Sequence, residues 1–400
     1  MIINSSQTAF YNRSKIIPLK AQTFKGNADL SDTVEIKGTQ TKAKVYTNNI
    51  DYQTYAQIKN ICSHPSFLDA SIRIMPDTHA GKTAIVGFTA PTDTNKGIIP
   101  GLISGDIGCG MLCVEIDTKG KEIDYNELDN IIRTYVASSR SKTPIAMNTH
   151  LKKIDRQIEQ LCKKYKVSPE KAYSTIGTLG GGNHFIEIDK DPEDNTYLVI
   201  HTGSRAFGKN VFDHHDKIAK LQNPYKIKDL SFLTKDEAKE YLQDMQIATK
   251  YSQLNRRIIA DEIMKHMGWK EKSSFESIHN YIGDDNIIRK GAIKADKNEK
   301  VLIPLNMKDG AIIAIGKGNP DWNNSAPHGA GRQFSRAEAA ELIDLEDYKN
   351  EMKGIHSSCI SEATIDESPM AYKNAAEIIK NIKDTVEIDK IIKPVFNFKD

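Results

Sequence analysis

The stretch Gly105-Asp106-Ile107-Gly108-Cys109-Gly110-Met111 constrains this chain more than any other. An apolar run, Ile98 to Ile103, leads into it, and another, Leu112 to Ile116, leads out. That pattern predicts two buried strands joined by a glycine-rich turn. The glycines let the backbone reach positive φ and pass close to a bound group. The turn also carries a carboxylate and a thiol three residues apart. A hard oxygen and a soft sulfur on one turn suit a borderline transition metal. An isolated Asp-x-x-Cys reads as readily as a turn-capping aspartate beside a buried thiol, so the rest of the chain decides between them.

Five cysteines, odd in number and scattered, do not make a disulfide framework. The expectation is a reducing, cytoplasmic setting in which thiols are free for metal. The first twenty residues lack a continuous apolar segment and a small-residue cleavage site, so no secretory signal is expected. No window approaches the roughly 18 apolar residues of a membrane span. A formal net charge of +2 sets up no global basic field for nucleic acid. Local basic clusters (Arg140/Lys142, Lys152/Lys153, Lys163/Lys164/Lys166, Arg256/Arg257) read first as solvated faces.

Taken in order, residues 1–45 are mixed and polar, an irregular or short-stranded beginning. Asp51 to Cys62 has helical spacing, and Ser71 to Met75 reads as a strand. The strand runs into Pro76-Asp77-Thr78-His79-Ala80-Gly81-Lys82-Thr83. Its ending imitates a phosphate-binding loop, but proline stands at position 76 where that pattern needs glycine. Asp77 and His79 are left as groups at a strand end. Helices are expected near 125–138 and 150–165. Gly180-Gly181-Gly182-Asn183-His184 then precedes an alternating strand, and such a glycine run packs nothing unless something approaches its backbone. Tyr197 to Ile200 is a buried strand delivering His201, with Thr202-Gly203-Ser204-Arg205 behind it. Helices follow over 207–222 and 234–267, the second long enough to break in two, with His214 and His215 structural or exposed. A short apolar helix over 275–278 leads to His279-Asn280. Strands are predicted over 287–291, 301–304 and 311–315. Pro327-His328-Gly329-Ala330-Gly331-Arg332 then leads to a helix that Ser335 and Glu338 begin as a capping box. The tail has a helix ending near Ile382 and an apolar run to Lys399. No repeat or linker divides the chain, so the expected fold is α+β: one large domain over 1–400, mixed sheets with flanking helices, a helical insertion over roughly 207–270, and an active site on glycine-rich loops.

The polar groups on those loops are Asp106, Cys109, His184, His201, His279 and His328. One carboxylate, one thiol and three imidazoles make a ligand set for a pair of Mn²⁺- or Zn²⁺-like ions, and two-metal sites serve phosphoryl transfer. His328 is then left as a nucleophile, because neutral imidazole attacks phosphorus to give a covalent phosphoramidate. The bottom-up reading is a metal-dependent phosphoryl- or nucleotidyl-transfer enzyme.

Residues 74–83, 105–111, 179–187, 200–205, 278–280 and 327–332 together closely resemble, in order and spacing, the motifs of the RtcB family of RNA-splicing ligases. The resemblance implies an enzyme that joins RNA 3′-phosphate or 2′,3′-cyclic phosphate ends to 5′-hydroxyl ends, using GTP and Mn²⁺ (Zn²⁺ or Co²⁺ as alternatives), in RNA repair or tRNA processing. It implies guanylylation of His328, transfer of the guanylyl group to the RNA 3′-phosphate, and displacement of GMP by the 5′-hydroxyl. It puts metal on Asp106, Cys109, His184, His201 and His279, with Cys109 as the bridge. Guanylate contacts would fall on Asn183, His184, Phe185, Ile186, Glu187, Asn280, Gly329, Ala330 and Gly331, with Tyr372 and the near-terminal Lys399 at the base. Arg205 and Arg332 are phosphate clamps or structural ion pairs. An activating or release-factor-like protein is a further expected partner.

The sequence departs from the family's Pro-Gly-x-Met-Gly loop, which stands here as Pro304-Leu305-Asn306-Met307-Lys308, and from a downstream serine, here Ala311. Those changes bear on nucleotide affinity or base selectivity. Two rival functions keep parts of the same set: a phosphodiesterase that only opens cyclic phosphate ends, and a non-catalytic paralogue that binds RNA ends. Retention of His328 and of every ligand position argues against both.

Overall fold

In the computed structural model, residues 33–82, 84–136 and 154–400 are described. Expectations for residues 1–32, for Thr83 and for 137–153, including two of the basic clusters and the edges of two helices, lie outside the described residues. The chain begins with β1 (Val34–Lys37), β2 (Lys42–Val45), α1 (Tyr52–Cys62), β3 (Ile72–His79) and β4 (Val86–Pro91). A one-turn helix α2 (Pro100–Ile103) precedes β5 (Gly110–Asp117), α3 (Tyr125–Ile131), α4 (Asp155–Tyr165) and α5 (Pro169–Thr175). The hairpin β6 (Phe185–Lys190) and β7 (Thr196–Thr202) is followed by α6 (Arg205–Gln222) and α7 (Lys235–Met267). Next come β8 (Lys270–Ile278), β9 (Asn280–Ile282), β10 (Ile287–Lys290), β11 (Ala292–Lys294), β12 (Lys300–Asn306), β13 (Gly310–Gly316) and β14 (Ser325–Pro327). The last elements are α8 (Arg336–Leu342), α9 (Leu345–Glu351), α10 (Ala375–Asn381) and β15 (Val386–Phe398).

The strands form an α+β architecture of two large sheets and a two-stranded ribbon, β11-β14. The first sheet, ordered β1-β2-β3-β4-β10-β9, is antiparallel except where β2 runs parallel to β3. The second, ordered β12-β13-β15-β6-β7-β5-β8, is antiparallel throughout. It curls until its edge strands meet, where the Leu302 N–H donates to Ser277 Oγ at 2.9 Å. Alternation along β5, β6 and β7 sends Val114, Ile186, Ile188, Leu198 and Ile200 into one core, under α3 and α7. Met111, Cys113, Tyr197 and Val199 fill the inside of the curl.

Three elements differ from the sequence reading. Pro100–Ile103 is a helical turn rather than the end of a strand. Proline at N1 is already set for a helix, and a short apolar run alone does not separate a strand from a buried helix. Phe275–Ile278 is the end of β8, paired with β5, rather than a helix. The third is α7, which is unbroken over 33 residues. Tyr241, Met245 and Ala248 pack into the core beneath the first sheet, whereas Ile259 and Ile263 pack beneath the second. A rod of about 50 Å is what spans both cores.

Near its middle, α7 ties the loops around Gly108, Thr178 and Gly203 together. Ser252 Oγ donates to Gly108 O at 2.6 Å, and Arg256 Nη1 donates to Gly108 O at 3.0 Å and to Thr202 O at 2.8 Å. Asn255 Nδ2 donates to Thr178 O and Gly203 O, both at 3.1 Å, while its Oδ1 accepts from Gly177 N at 2.6 Å. Arg256 is fully buried and pairs with Glu276 at 3.0 Å. Arg256→Met removes the cation, leaves Glu276 without its partner charge and takes a donor from both carbonyls, so it is expected to destabilise the fold by about 3–5 kcal/mol. A drop in the denaturation midpoint with an unchanged slope checks it.

Candidate active site

Strand register gathers the polar residues at one end of the curled sheet. His201 lies opposite Met111 on β5 and opposite Phe185 on β6, and Gly110 lies opposite Ile278 on β8. Cys109 and His184 come one residue before Gly110 and Phe185, and His279 one residue after Ile278. Four residues from four segments therefore converge. Cys109 Sγ is 3.2 Å from His201 Nε2 and 3.6 Å from His184 Nε2, and the three side chains form one buried cluster of metal-ligand type. Asp106 Oδ2 lies 3.6 Å from His184 Nε2. The His279 ring sits 5.2 Å from that of His201 and 4.8 Å from that of His328.

These residues fit a metal. The Nδ1 atoms of His184 and His201 are each 3.0 Å from a backbone carbonyl, of Leu179 and Asn183 respectively. Donation there fixes the tautomer and leaves both Nε2 lone pairs aimed at Cys109, the usual outer-shell arrangement of ligating histidine. His279 Nδ1 is buried without a hydrogen-bond partner among the described residues. A buried imidazole nitrogen without a partner calls for one, and a cation is a partner that this cluster suits. Burial holds the His201 and His279 imidazoles well below their ordinary pKa, as the neutral form a metal needs. Burial and the Asp106 charge push the Cys109 thiol well up, so a bound cation would have to draw off its proton. A set of one sulfur, imidazole nitrogens and a carboxylate suits Mn²⁺, Co²⁺ or Zn²⁺ better than Mg²⁺ or Ca²⁺.

Two glycines make room for this cluster. A Cβ on Gly203 would fall 2.0 Å from Asp106 Oδ1. Gly180, at φ +75°, would drive a Cβ into the Arg205 guanidinium, 1.8 Å away. Arg205 crosses that gap to lie 3.4 Å from His184 Nδ1 and to donate to Thr178 Oγ1 at 3.4 Å. It therefore lies behind the histidines.

His328 closes the other side. Its Nδ1 is 2.6 Å from Oδ2 of Asp77, a carboxylate with no exposed surface at the end of β3. Donation from Nδ1 leaves Nε2 as the basic nitrogen of a part-buried ring beside His279. Asp106, Cys109, His201, His279 and His328 all line a cleft of about 1200 Å³. That volume exceeds a typical small-molecule pocket.

The same cleft is lined by Asn183, Phe185, Glu187, Asn280, Gly329, Ala330, Gly331, Tyr372 and Lys399. His184 is buried behind them with the metal-type cluster. Ile186 is not brought to the cleft: the two-residue period of β6 turns it into the opposite core. Glu187, its carboxyl raised by burial, accepts from Asn397 Nδ2 at 2.6 Å. The hairpin that replaces the glycine-rich family loop is held by Asn306 Oδ1, which accepts from Lys308 N at 3.0 Å and Asp309 N at 2.8 Å. Leu305 and Met307 are buried, and Ala311 is packed inside the curl.

Sequence reasoning gave no role to Glu367, which organises the far end of the cleft. Its carboxylate accepts from Tyr372 Oη at 2.6 Å, Lys399 Nζ at 3.2 Å and Arg332 Nη1 at 3.2 Å, and also pairs with Arg336. Arg332 is thus engaged in an ion pair. Burial alone would raise the Glu367 carboxyl, but the Lys399 and Arg336 charges and the Tyr372 hydroxyl bring it down to about 2. A folded pKa below the unfolded one gives stability that is present above the ordinary glutamate range and lost as pH falls toward 2. The shift corresponds to roughly 3 kcal/mol. Glu367→Gln is therefore expected to melt lower at pH 7 and to lose less stability than the parent between pH 5 and 3, read by thermal melts across that range.

Asp77 was legible only as a polar group at a strand end, because its partner lies 251 residues away. Nothing local marks Glu367 at all. No helix among the described residues is long and apolar enough to cross a membrane. A family model described as tRNA-splicing ligase RtcB matches residues 57–400. The RNA-splicing ligase RtcB of Escherichia coli strain K12 is 29% identical over 391 residues, covering 86% of this chain and 94% of that protein. The RNA-splicing ligase RtcB2 of Escherichia coli strain ATCC 25922 is 26% identical, covering 76% and 81%. The tRNA-splicing ligase RtcB of Methanococcus maripaludis is 24% identical, covering 93% and 95%.

Proposed function

The chain belongs to the RtcB family of tRNA-splicing ligases, and from that premise we propose that it is a GTP-dependent ligase joining RNA 3′-phosphate (or 2′,3′-cyclic phosphate) ends to 5′-hydroxyl ends, in RNA repair. The observation that carries the reading is His328, held through Nδ1 by Asp77 beside the buried Cys109/His184/His201 cluster. Asp106, Cys109, His184, His201 and His279 would hold the metal, most simply Mn²⁺. When bound, it neutralises phosphate charge that would repel an incoming nucleophile.

His328 Nε2 attacks the α-phosphorus of GTP, forming an N–P bond as the bond to the bridging oxygen breaks and pyrophosphate leaves. Positive charge develops on the imidazole. The Asp77 carboxylate accepts the Nδ1 proton's hydrogen bond throughout and stabilises that charge, as the buried aspartate of a serine-protease triad does for its histidine. An oxygen of the RNA 3′-phosphate then attacks the same phosphorus, frees His328 and makes an RNA-(3′)pp(5′)G end. Finally the 5′-hydroxyl attacks the RNA phosphorus, loses its proton and displaces GMP. Attack on a bare 3′-phosphate would have to expel oxide, so capping it with guanylate supplies the leaving group. Tyr372, Lys399 and Glu187 are the polar groups proposed to meet the base, and the buried Leu305 and Met307 give that end an apolar side.

The direct test uses two synthetic RNA strands, one ending in 3′-phosphate or 2′,3′-cyclic phosphate and the other beginning with 5′-hydroxyl, with GTP and Mn²⁺. A joined product that requires GTP is expected. Opening of the cyclic phosphate without joining would instead make the protein an end-processing phosphodiesterase, and no change to either strand would make it a binder.

A further inference from the structure

Lys373 is among the charged residues with almost no exposed surface, 6%. Its ammonium meets no carboxylate within hydrogen-bond reach among the described residues; its partners are carbonyls. They are Thr78 O at 2.7 Å, Pro76 O at 3.3 Å and Asn49 O at 3.4 Å. An ammonium has three donors, and these acceptors take all three. Two of them flank Asp77 in the chain, so the cation grips the strand on both sides of that aspartate. The Lys373 backbone N–H meanwhile donates to Gly331 O at 2.9 Å, on the loop that carries His328. One residue thus clamps both partners of the Asp77–His328 pair.

The charge matters as much as the grip. Asp77 has no exposed surface, and its Oδ1 has no hydrogen-bond partner among the described residues. A buried carboxylate satisfied on one oxygen only is costly to keep ionised without a nearby cation. Burial draws the Lys373 ammonium down, and the nearby Asp77 charge partly holds it up.

We propose that Lys373 is the positioning residue of the nucleophile: it holds the strand segment around Asp77 and the loop of His328 in register, so that Asp77 fixes the tautomer and direction of His328. The inference rests on the functional reading above. Lys373 acts through Asp77 and touches neither nucleotide nor RNA. It should therefore matter for guanylyl transfer to His328 and not for sealing of an RNA that already carries the (3′)pp(5′)G end.

The experiment compares Lys373→Met, which keeps the aliphatic stem, and Lys373→Gln, which keeps a donor without charge, with Asp77→Asn and the double variant. Expected for Lys373→Met is a fall of roughly 10–100-fold in the guanylylation rate. KM for GTP, bound metal and sealing of preformed (3′)pp(5′)G ends stay near parental values. Lys373→Gln should recover part of the loss, and the double variant should be no worse than Asp77→Asn alone, because both act on one pair. The His328 Nδ1 proton, assigned by its disappearance in His328→Asn in a spectrum of ¹⁵N-histidine-labelled protein, should be sharp in the parent and exchange-broadened in Lys373→Met. Parental guanylylation in Lys373→Met, or a fall in rate, metal content and sealing together with a rise in KM, overturns the proposal. Should Lys373→Met fail to fold, Lys373→Gln carries the same comparison. Should the parent form no adduct, the functional reading falls, and the Nδ1 signal still decides whether Lys373 positions the ring.

Discussion

His328→Asn is expected to reduce transfer of the guanylyl group to the protein, and joining of 3′-phosphate ends, to background. Asparagine fits the space and can still donate a hydrogen bond to Asp77, so the surrounding fold should persist. Its amide nitrogen has no available lone pair, and no N–P bond can form. The histidines of the metal-type cluster are committed elsewhere. The tautomers of His184 and His201 commit their Nε2 atoms toward Cys109, and His279 Nδ1 is enclosed. The same variant should still seal an RNA supplied with a preformed (3′)pp(5′)G end, because the proposed last step uses no nucleophile from the protein. Loss of guanylyl transfer with sealing retained separates a dead nucleophile from a damaged site. Gel assays on the two RNA substrates read both halves.

Cys109→Ser should have the broader effect: loss of bound metal, and with it loss of every step, sealing included. Cys109 Sγ is the atom common to both close contacts of the cluster, to His184 and to His201. A serine hydroxyl is a shorter, harder donor that does not ionise as a thiol does, so two imidazoles lose their shared neighbour. Removal of an outer-shell partner alone typically lowers metal affinity 10–100-fold, and removal of a ligand should cost at least about 100-fold. Metal content after dialysis, measured by elemental analysis, checks this without reference to activity. A retained parental metal content in Cys109→Ser would remove Cys109 from the ligand set.

The two variants divide the site as the sequence divides it. Most of the candidate ligand positions stand out in the sequence because they sit on glycine-rich turns at the end of apolar strands, where a polar residue has few structural reasons to be; His279, which follows the polar strand β8, does not. The strands β6, β7, β10, β12 and β13 are legible from the same alternation and apolar runs, and the α8 capping box is present as Ser335 and Glu338 imply. What escapes the sequence is long-range. The Asp77–His328 pair joins β3 to the loop after β14, and Glu367 collects donors from three separate segments. No local pattern encodes either. The short segments at 98–103 and 275–278 mislead for a simpler reason: four to six residues carry too little periodicity to separate helix from strand. The length of α7 is a tertiary matter, set by two cores that one helix must bridge.

The most direct test of the central claim is intact-mass spectrometry of the metal-loaded protein after incubation with GTP, followed by peptide mapping under conditions that preserve an acid-labile phosphoramidate. The account predicts a mass gain of one guanylyl group, localised to His328 and absent from His328→Asn. A protein that holds its metal yet gains no nucleotide, or gains it on another residue, would contradict it.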